Sequence, residues 1–337
     1  MLLPTFVIND ETTQAVACVR VSFATLATAW RWVKGILSHG MKGKFKKVAV
    51  LGRHTDSRVS GPMTALVEHL TKVGIEVLAG DEMSLDLPVT RMPETELSEA
   101  ADLIIAIGGD GTMLYAGSLA RDCGTPLLGI NRGRLGFLAD VTPDEMISSV
   151  DQILGGKFTL ESRLLLDAKL TTATGTTITA TGFNDVVLQR HGTGRMVDFE
   201  ASVGHQFVNT HSGDGLIIAT PTGSTAYALS CGGPIIEPQL DAIVVVPICP
   251  HTLTDRPIVI SANQTIEVRL LERADTQAEV AVDGHAIGAI RPDDTLTISP
   301  SGNRIQLIHP PGYDFYEILR SKLLWGRDSR IRSPEER

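Results

Sequence analysis

The sequence predicts a parallel α/β domain followed by an all-β domain. Up to residue 155, short apolar runs alternate with stretches of helical spacing, the pattern of a parallel sheet covered by helices. From Phe158 to about His309 the chain turns to Val, Ile and Thr in short alternating runs separated by Gly, Asn and Asp, which is an all-β texture. At 337 residues there is enough chain for two cores.

The elements follow in order. In residues 1–40, Phe23, Leu26, Trp30, Val33 and Leu37 recur at spacings of three and four, as on one face of an amphipathic helix. There is no basic n-region and no unbroken apolar core, so neither a signal peptide nor a membrane span is expected there. Met41 opens Met-Lys-Gly-Lys-Phe-Lys-Lys-Val-Ala-Val-Leu-Gly, which feeds straight into a strand over 48–51. The expectation is that Met41 is the natural start, or that residues 1–40 form a loosely held extension. The α/β domain then spans 41–155. A helix over 62–73 stops at Gly74 and a strand covers 75–78, while 80–100, acidic and interrupted by proline, reads as a surface connection. Strands over 103–107 and 126–130 follow, and Thr142 caps a helix over 143–154 before Gly155-Gly156. The all-β domain spans 156–312, with strands over 243–246, 258–260, 265–270, 279–282 and 305–308. Residues 313–337 return to helical spacing over 314–324, expected to pack back on the first domain, and end in a charged, frayed tail.

Composition narrows the partners. Hydrophobic content of 43% and charged content of 20% describe a globular chain, and a formal charge of −9 argues against nucleic acid or an anionic membrane. An anionic substrate must therefore be met by local donors. Cys18, Cys123, Cys231 and Cys249 are scattered, which points to a reducing compartment and no zinc site. Gly-x-x-x-x-Gly-Lys-Ser/Thr, Gly-x-Gly-x-x-Gly and the Gly-x-Ser-x-Gly elbow are all absent, and His251 and His285 have no partners at metal-ligand spacing.

The chemistry concentrates in a few stretches. Leu103-Ile104-Ile105-Ala106-Ile107 runs into Gly108-Gly109-Asp110-Gly111-Thr112, and Thr112 is placed to cap a helix towards Leu119. Glycines between a strand and a helix offer bare backbone N–H groups and a positive dipole end to a phosphate. Asp110 is the odd member: amid phosphate it either holds a metal or takes a proton. An isolated Asp-Gly is otherwise a tight turn. Asn131-Arg132-Gly133-Arg134-Leu135-Gly136-Phe137-Leu138 makes a second glycine-rich loop at the same kind of edge. In the β-rich half, Asp214 to Pro234 carries a strand, then Thr220-Pro221-Thr222-Gly223-Ser224-Thr225, then a helix expected from Ser224 or Thr225. Many hydroxyls and few charges suit the sugar and base of a nucleotide, although a capped helix alone would use the same residues. Asn184-Asp185 heads an apolar run and by itself reads as a turn.

Taken in order, Gly108-Gly109-Asp110-Gly111-Thr112, Asn131 to Leu138, Asn184-Asp185, Asp214 to Pro234, and Pro250-His251-Thr252-Leu253 with Arg256-Pro257 resemble the NAD kinase family, its bacterial members above all. The resemblance covers roughly residues 45–325. Gly-Gly-Asp-Gly is shared with diacylglycerol kinases, sphingosine kinases and phosphofructokinases, whereas the Asp214–Pro234 block is specific. It implies a Rossmann-like α/β domain, a β-sandwich domain bearing the dinucleotide site, and catalysis in the cleft between them. It further implies phosphoryl transfer to the 2′-hydroxyl of the adenosine ribose of NAD, in the cytoplasm, with a divalent cation (magnesium by the chemistry) and ATP or inorganic polyphosphate as donor. A homodimer or homotetramer is implied, a neighbouring subunit helping to complete the adenosine site. By the resemblance, Asp110 is the general base and Gly111 admits the dinucleotide. Asn184 and Asp185 hold ribose hydroxyls or the adenine edge, and Asp214 accepts from the nicotinamide amide. Thr225, Ala226, Tyr227 and Ser230 line the adenosine pocket, with Arg195 and His285 as further contacts. Gly108, Gly109, Thr112 and Arg134 face the donor phosphates. Ser212 stands uncharged where the related proteobacterial pattern has an arginine, which bears on the choice of donor.

Overall fold

The computed structural model describes residues 45–325 apart from 53–55, 84, 134–135, 192–195 and 273–277. Strands and helices alternate at first: β1 (Lys47–Gly52), α1 (Ser57–Lys72), β2 (Glu76–Gly80), β3 (Thr90–Met92), α2 (Glu94–Ala100), β4 (Leu103–Gly108), α3 (Asp110–Ala120), β5 (Leu127–Asn131) and α4 (Met146–Leu154). The strands run parallel in the order β3-β2-β1-β4-β5. Every residue of β4 is buried, as its unbroken apolar run requires. Alternate residues face two layers: Ile105 and Ile107 pack with Val59, Met63 and Leu66 of α1 and Val150 of α4, while Ile104 and Ala106 pack with Leu97 of α2 and Met113 and Ala116 of α3. Each such aliphatic side chain contributes about 1.5–3 kcal/mol on burial.

The second half is β throughout: β6 (Thr159–Thr171), β7 (Thr177–Gly182), β8 (Asp185–Arg190), β9 (Val197–Val203), β10 (Gln206–Gly213) and β11 (Gly215–Ala219). A 3₁₀ turn (Gly223–Thr225) and the short α5 (Tyr227–Ser230) precede β12 (Ala242–Ile248), β13 (Ile258–Ser261), β14 (Ile266–Leu270), β15 (Ala278–Val282), β16 (His285–Ile290), β17 (Thr295–His309) and α6 (Phe315–Leu323). One sheet of six strands, β13-β12-β11-β8-β15-β16, packs on a larger one through Leu188, Ile218, Val280, Phe199, Ile266 and Ile298.

The larger sheet does not stop at the domain boundary. Its order, β10-β9-β14-β17-β5-β4-β1-β2-β3, runs from the β half into the α/β half. β17 makes the join: Ile298 pairs with Ile266 of β14, and Leu307 lies in parallel register with Leu127 of β5. β6 accompanies β17 antiparallel from Thr295↔Thr171 to His309↔Thr159, with an irregularity between Pro300 and Arg304. The two halves thus share one hydrogen-bonded layer.

Four expectations are corrected. Residues 80–100 are not a connection: they carry edge strand β3, whose Arg91 Nη2 donates to Leu85 O at 2.6 Å, and α2, whose buried Leu97 anchors an acidic segment. α1 begins before Pro62, because Asp56 caps it by accepting from the Arg58 amide at 3.0 Å, leaving Pro62 inside. Thr142 donates its hydroxyl to Glu145 Oε2 at 2.7 Å, and the helix starts after Glu145. Thr112 lies within α3, whose cap is Gly109 in an extended conformation. α6 matches the expected helix, with Asp314 as its cap, and its Lys322 ammonium stands 5.6 Å over the Phe137 ring. Residues 1–40 and the charged tail lie outside the described residues.

Gly129 of β5 has the next loop laid directly upon it: an added Cβ would come 2.5 Å from Leu138 O and 2.7 Å from Ala139 Cα. Gly129→Ala should lower unfolding stability by about 1–3 kcal/mol, read as a shift of the urea midpoint at unchanged slope. An unshifted midpoint would show that the loop yields freely.

Candidate active site

The strand order reverses between β1 and β4, and chains leaving that edge of the sheet diverge to opposite faces, opening a crevice. α3 starts in it. Asp110 is its first helical residue, and its carboxylate is held from the neighbouring loop: Oδ2 accepts from the Phe137 amide at 3.1 Å and Oδ1 from the Leu138 amide at 2.9 Å. Gly136 makes that approach possible, since a Cβ there would lie 2.3 Å from Asp110 Oδ1. Each carboxylate oxygen has two lone pairs, so one on each stays open to a substrate. Gly111 is exposed, with open space where a Cβ would stand, and Gly108 is closed by the Thr112 side chain.

Beside Gly109 sits Arg132, which sequence reasoning passed over in favour of Arg134, a residue outside the described ones. Its Nη2 would be 3.8 Å from a Cβ on Gly109, and its Nη1 donates to Asp56 Oδ2 at 2.9 Å. Asp56 also takes Arg58 Nη2 at 2.8 Å. That side-chain hydrogen bond and the Arg58 amide hold the Asp56 carboxyl far below the usual carboxylate range. An anchored guanidinium, half exposed at a helix start, is a ready receptor for phosphate. Among the described residues no three His, Cys, Asp or Glu side chains converge as a metal cage. The donor set fits a divalent cation only as one carried on the phosphates of a nucleotide.

The dinucleotide candidates form a second, knitted group. Asp283, at φ 48° in the β15–β16 turn, accepts the amides of Phe183 and Asn184 at 2.7 Å each and that of Asp185 at 3.1 Å. Thr220 bonds the same stretch through its amide to Asn184 O and its hydroxyl to Phe183 O, and Gly223 packs so close that a Cβ would lie 2.0 Å from Asn184 O. Asp185 is buried; burial first, and then the Asp283 charge, push its carboxyl up to about 7. Exposed His285 closes the same turn. The long helix expected from Ser224 is replaced by two short pieces. Ala226 breaks the helical conformation at φ −96° and ψ −127°, and the Ser224 hydroxyl is occupied by Pro221 O and the Ile236 amide. Thr225, Ala226, Tyr227 and Ser230 lie along these pieces, all but Thr225 and Ala226 exposed. α3 joins the two groups: a Cβ on its Gly117 would stand 3.0 Å from the Phe183 ring.

Ser212 lies near the end of β10 and Asp214 directly after it, at the opposite end of β11 from Thr220. Asp214 is paired with Arg190 Nε at 2.7 Å, and the Ser212 carbonyl accepts from the His251 amide at 2.8 Å. The Tyr227 hydroxyl is raised by burial and then by Cys231, Cys249 and Asp214 facing it. Arg195 lies outside the described residues. A cavity of about 250 Å³, lined in part by Asn209, His211, Pro247 and Asp255, includes none of the sequence-derived site residues. Its Asp255 is already engaged by Asn209 at 2.8 Å and His211 at 2.9 Å, so it is an interstice between the sheets.

Two family models together match most of the chain. The family described as ATP-NAD kinase N-terminal domain matches residues 6–158, and that described as ATP-NAD kinase C-terminal domain matches 183–310. An NAD kinase of Hahella chejuensis is 42% identical over 285 residues, covering 84% of this chain and 96% of that one. An NAD kinase of Thiobacillus denitrificans is 41% identical over 293 residues, covering 85% and 99%. Among solved structures, a yeast NADH kinase complexed with NADH superposes with TM-score 0.78 at 21% identity, over 87% of this chain and 91% of that one. An Archaeoglobus fulgidus NAD kinase in complex with ATP superposes at 0.65 and 26% identity, over 82% and 99%.

Asp185 binds its proton more tightly folded than unfolded. Its stabilising share is therefore whole below the ordinary carboxylate range and lost as pH rises through about 7. Asp185→Asn should be more stable than the parent by roughly 2–4 kcal/mol above pH ~8, with the gap closing in acid. Thermal melts at the two extremes test this, and a variant less stable in alkali contradicts it.

Proposed function

The chain belongs to the NAD kinase family, and on that premise we propose which of its residues carry the reaction. The reaction is the phosphorylation of NAD to NADP, and ATP is the donor we assign, a reading supported by the family description and by the Archaeoglobus fulgidus NAD kinase in complex with ATP. The observation that carries the assignment is the Asp110 carboxylate, fixed by two amides at the first turn of α3 with lone pairs to spare.

Asp110 takes the proton of the adenosine ribose 2′-hydroxyl as that oxygen bonds the terminal phosphorus; the bond from phosphorus to the bridging oxygen breaks, and ADP leaves with the charge. A divalent cation carried on the ATP phosphates, magnesium by this chemistry, would neutralise their charge. Arg132 and the amides at Gly108 and Gly109 meet the transferring group, with Thr112 behind them and Arg134 assigned to the same phosphates. Gly111 supplies the open approach. Asn184 and Asp185 hold the adenosine end, Thr225, Ala226, Tyr227 and Ser230 line its pocket, and Arg195, Asp214 and His285 contact the rest of the dinucleotide. Ser212 leaves its position uncharged, and polyphosphate is the second donor to assay.

The cytoplasm is the compartment that the free thiols of Cys123, Cys231 and Cys249 support. Among the described residues no helix is long and apolar enough to cross a membrane. Assembly into a homodimer or homotetramer is supported by apolar side chains on the end strands of both sheets and the loop beside them: Phe207 is 63% exposed on β10, Val259 52% on β13, and Leu253 88% between.

Purified protein given NAD, Mg²⁺ and ATP should form NADP, and Asp110→Asn should lower kcat by about 10²–10⁴ while NAD still binds. Wild-type turnover in that variant would remove Asp110 from the role of base. Arg132→Met should chiefly raise KM for ATP and spare KM for NAD; the reverse pattern would move Arg132 out of the donor site.

A further inference from the structure

Between the two groups lies a buried cluster of charges that the reaction above leaves unused. His309, the last residue of β17, is 1% exposed. Its Nδ1 stands 2.8 Å from Asp140 Oδ2, its Nε2 makes an ion-pair contact with Glu161 Oε2 at 3.4 Å, and its ring stacks on Tyr313 with centroids 3.7 Å apart. Glu161 Oε2 also accepts Arg163 Nε at 3.0 Å and Nη2 at 2.5 Å. Arg163, 2% exposed, extends Nη1 to the Thr222 hydroxyl at 3.2 Å and Nη2 to the Tyr313 hydroxyl at 3.4 Å. An unbroken run of side chains therefore links Asp140, His309, Glu161, Arg163 and Thr222.

Both ends of that run touch the site. Asp140 lies two residues past Leu138, in the turn whose amides clamp Asp110, and Gly136 N closes the turn on Ala139 O at 2.9 Å. Thr222 opens the Gly223–Thr225 turn, and its carbonyl accepts the Thr225 hydroxyl at 3.0 Å. Charge fixes the middle. Asp140 and Glu161 are negative and Arg163 is positive, so the cluster is neutral only with His309 as an imidazolium, and a neutral imidazole would leave one buried charge uncompensated. Burial works against the imidazolium, but the Asp140 hydrogen bond and the Glu161 carboxylate outweigh it and raise the His309 pKa. Burial likewise pushes Glu161 up, and the His309 ring in ion-pair contact with it, together with the Arg163 charge, brings it down to about 2. Tyr313, the remaining group against the ring, stays a neutral phenol, its pKa raised chiefly by burial.

We propose that His309 is a positioning residue for phosphoryl transfer: it ties the turn that aims Asp110 to the Arg163–Thr222 support of the dinucleotide loop, and so sets the separation of base and nucleophile. The inference rests on the role given to Asp110 above. It also predicts an alkaline limb, because a raised histidine pKa makes the link complete at low pH and breaks it as pH rises through the folded value.

The test compares wild type, His309→Phe, His309→Asn and Thr222→Val, with kcat for NADP formation measured across pH and NAD affinity measured separately by calorimetry. His309→Phe should lose about 10–100-fold in kcat with NAD affinity held, the mark of misplacement. His309→Asn, which keeps a donor towards Asp140, should recover part of the loss and lack the alkaline fall of the wild type. Thr222→Val, short of a single hydroxyl, should lose kcat in the same direction, and it decides the matter on its own where His309→Phe does not fold. A folded His309→Phe with wild-type kcat overturns the proposal, as does an equal fall in kcat and affinity. A wild type that makes no NADP overturns the kinase reading itself; a working wild type matched by its variants overturns only the link.

Discussion

Two backbone amides, those of Phe137 and Leu138, hold the Asp110 carboxylate, and most of the site can be traced outward from that clamp. It fixes both partners at once. The Phe137 and Leu138 amides orient the carboxylate at the start of α3, and the carboxylate in turn holds residues 136–139 against β5. Because Gly136 and Gly129 let backbone come within side-chain distance, residues 136–139 lie close on β5 and their amides arrive beside the strand ends. A side chain that must act on a substrate hydroxyl is thereby aimed by covalent backbone, which is stiffer than any chain of side-chain contacts.

The dinucleotide loops repeat the device with different residues. Asp283 gathers three amides of the Phe183–Asp185 stretch, and it does so from a left-handed backbone position that Asp tolerates better than most residues. In each case a carboxylate organises a loop by accepting N–H groups. In the first the carboxylate is the candidate for chemistry, and in the second it stands behind the candidates. The difference lies in what surrounds each carboxylate, the glycine-rich start of α3 for Asp110 and the β15–β16 turn for Asp283, not in residue type.

Local patterns carried much of this into the sequence. The buried run before Gly108 announces a central parallel strand, and the return of helical spacing after Asp314 announces α6. The glycine loop at 131–138 was legible as a loop, but its function as a clamp was not, because it depends on β4 and β5 ending side by side at Gly108↔Asn131. Residues 80–100 misled because acidic residues on an exposed helix look like a loop when Leu97 is the one large apolar side chain that the helix buries. Glu161, Arg163 and His309 gave no local signal. Their meaning comes from register across β6 and β17, where positions far apart in sequence face one another. Arg132 was visible but outbid by its neighbour, and only the Asp56 tether singles it out.

The shared sheet has a consequence for how the chain is made. β5 emerges early, yet its neighbour on one side is β17, and the two meet at Leu127↔Leu307. Until β17 leaves the ribosome, the α/β half presents an open strand edge, and β6 waits for the same partner along most of its length. Long-range pairing of this kind raises contact order and slows folding. The nascent chain must therefore carry an unfinished edge through most of translation, a window in which chaperone cover matters more than the stability of the finished protein.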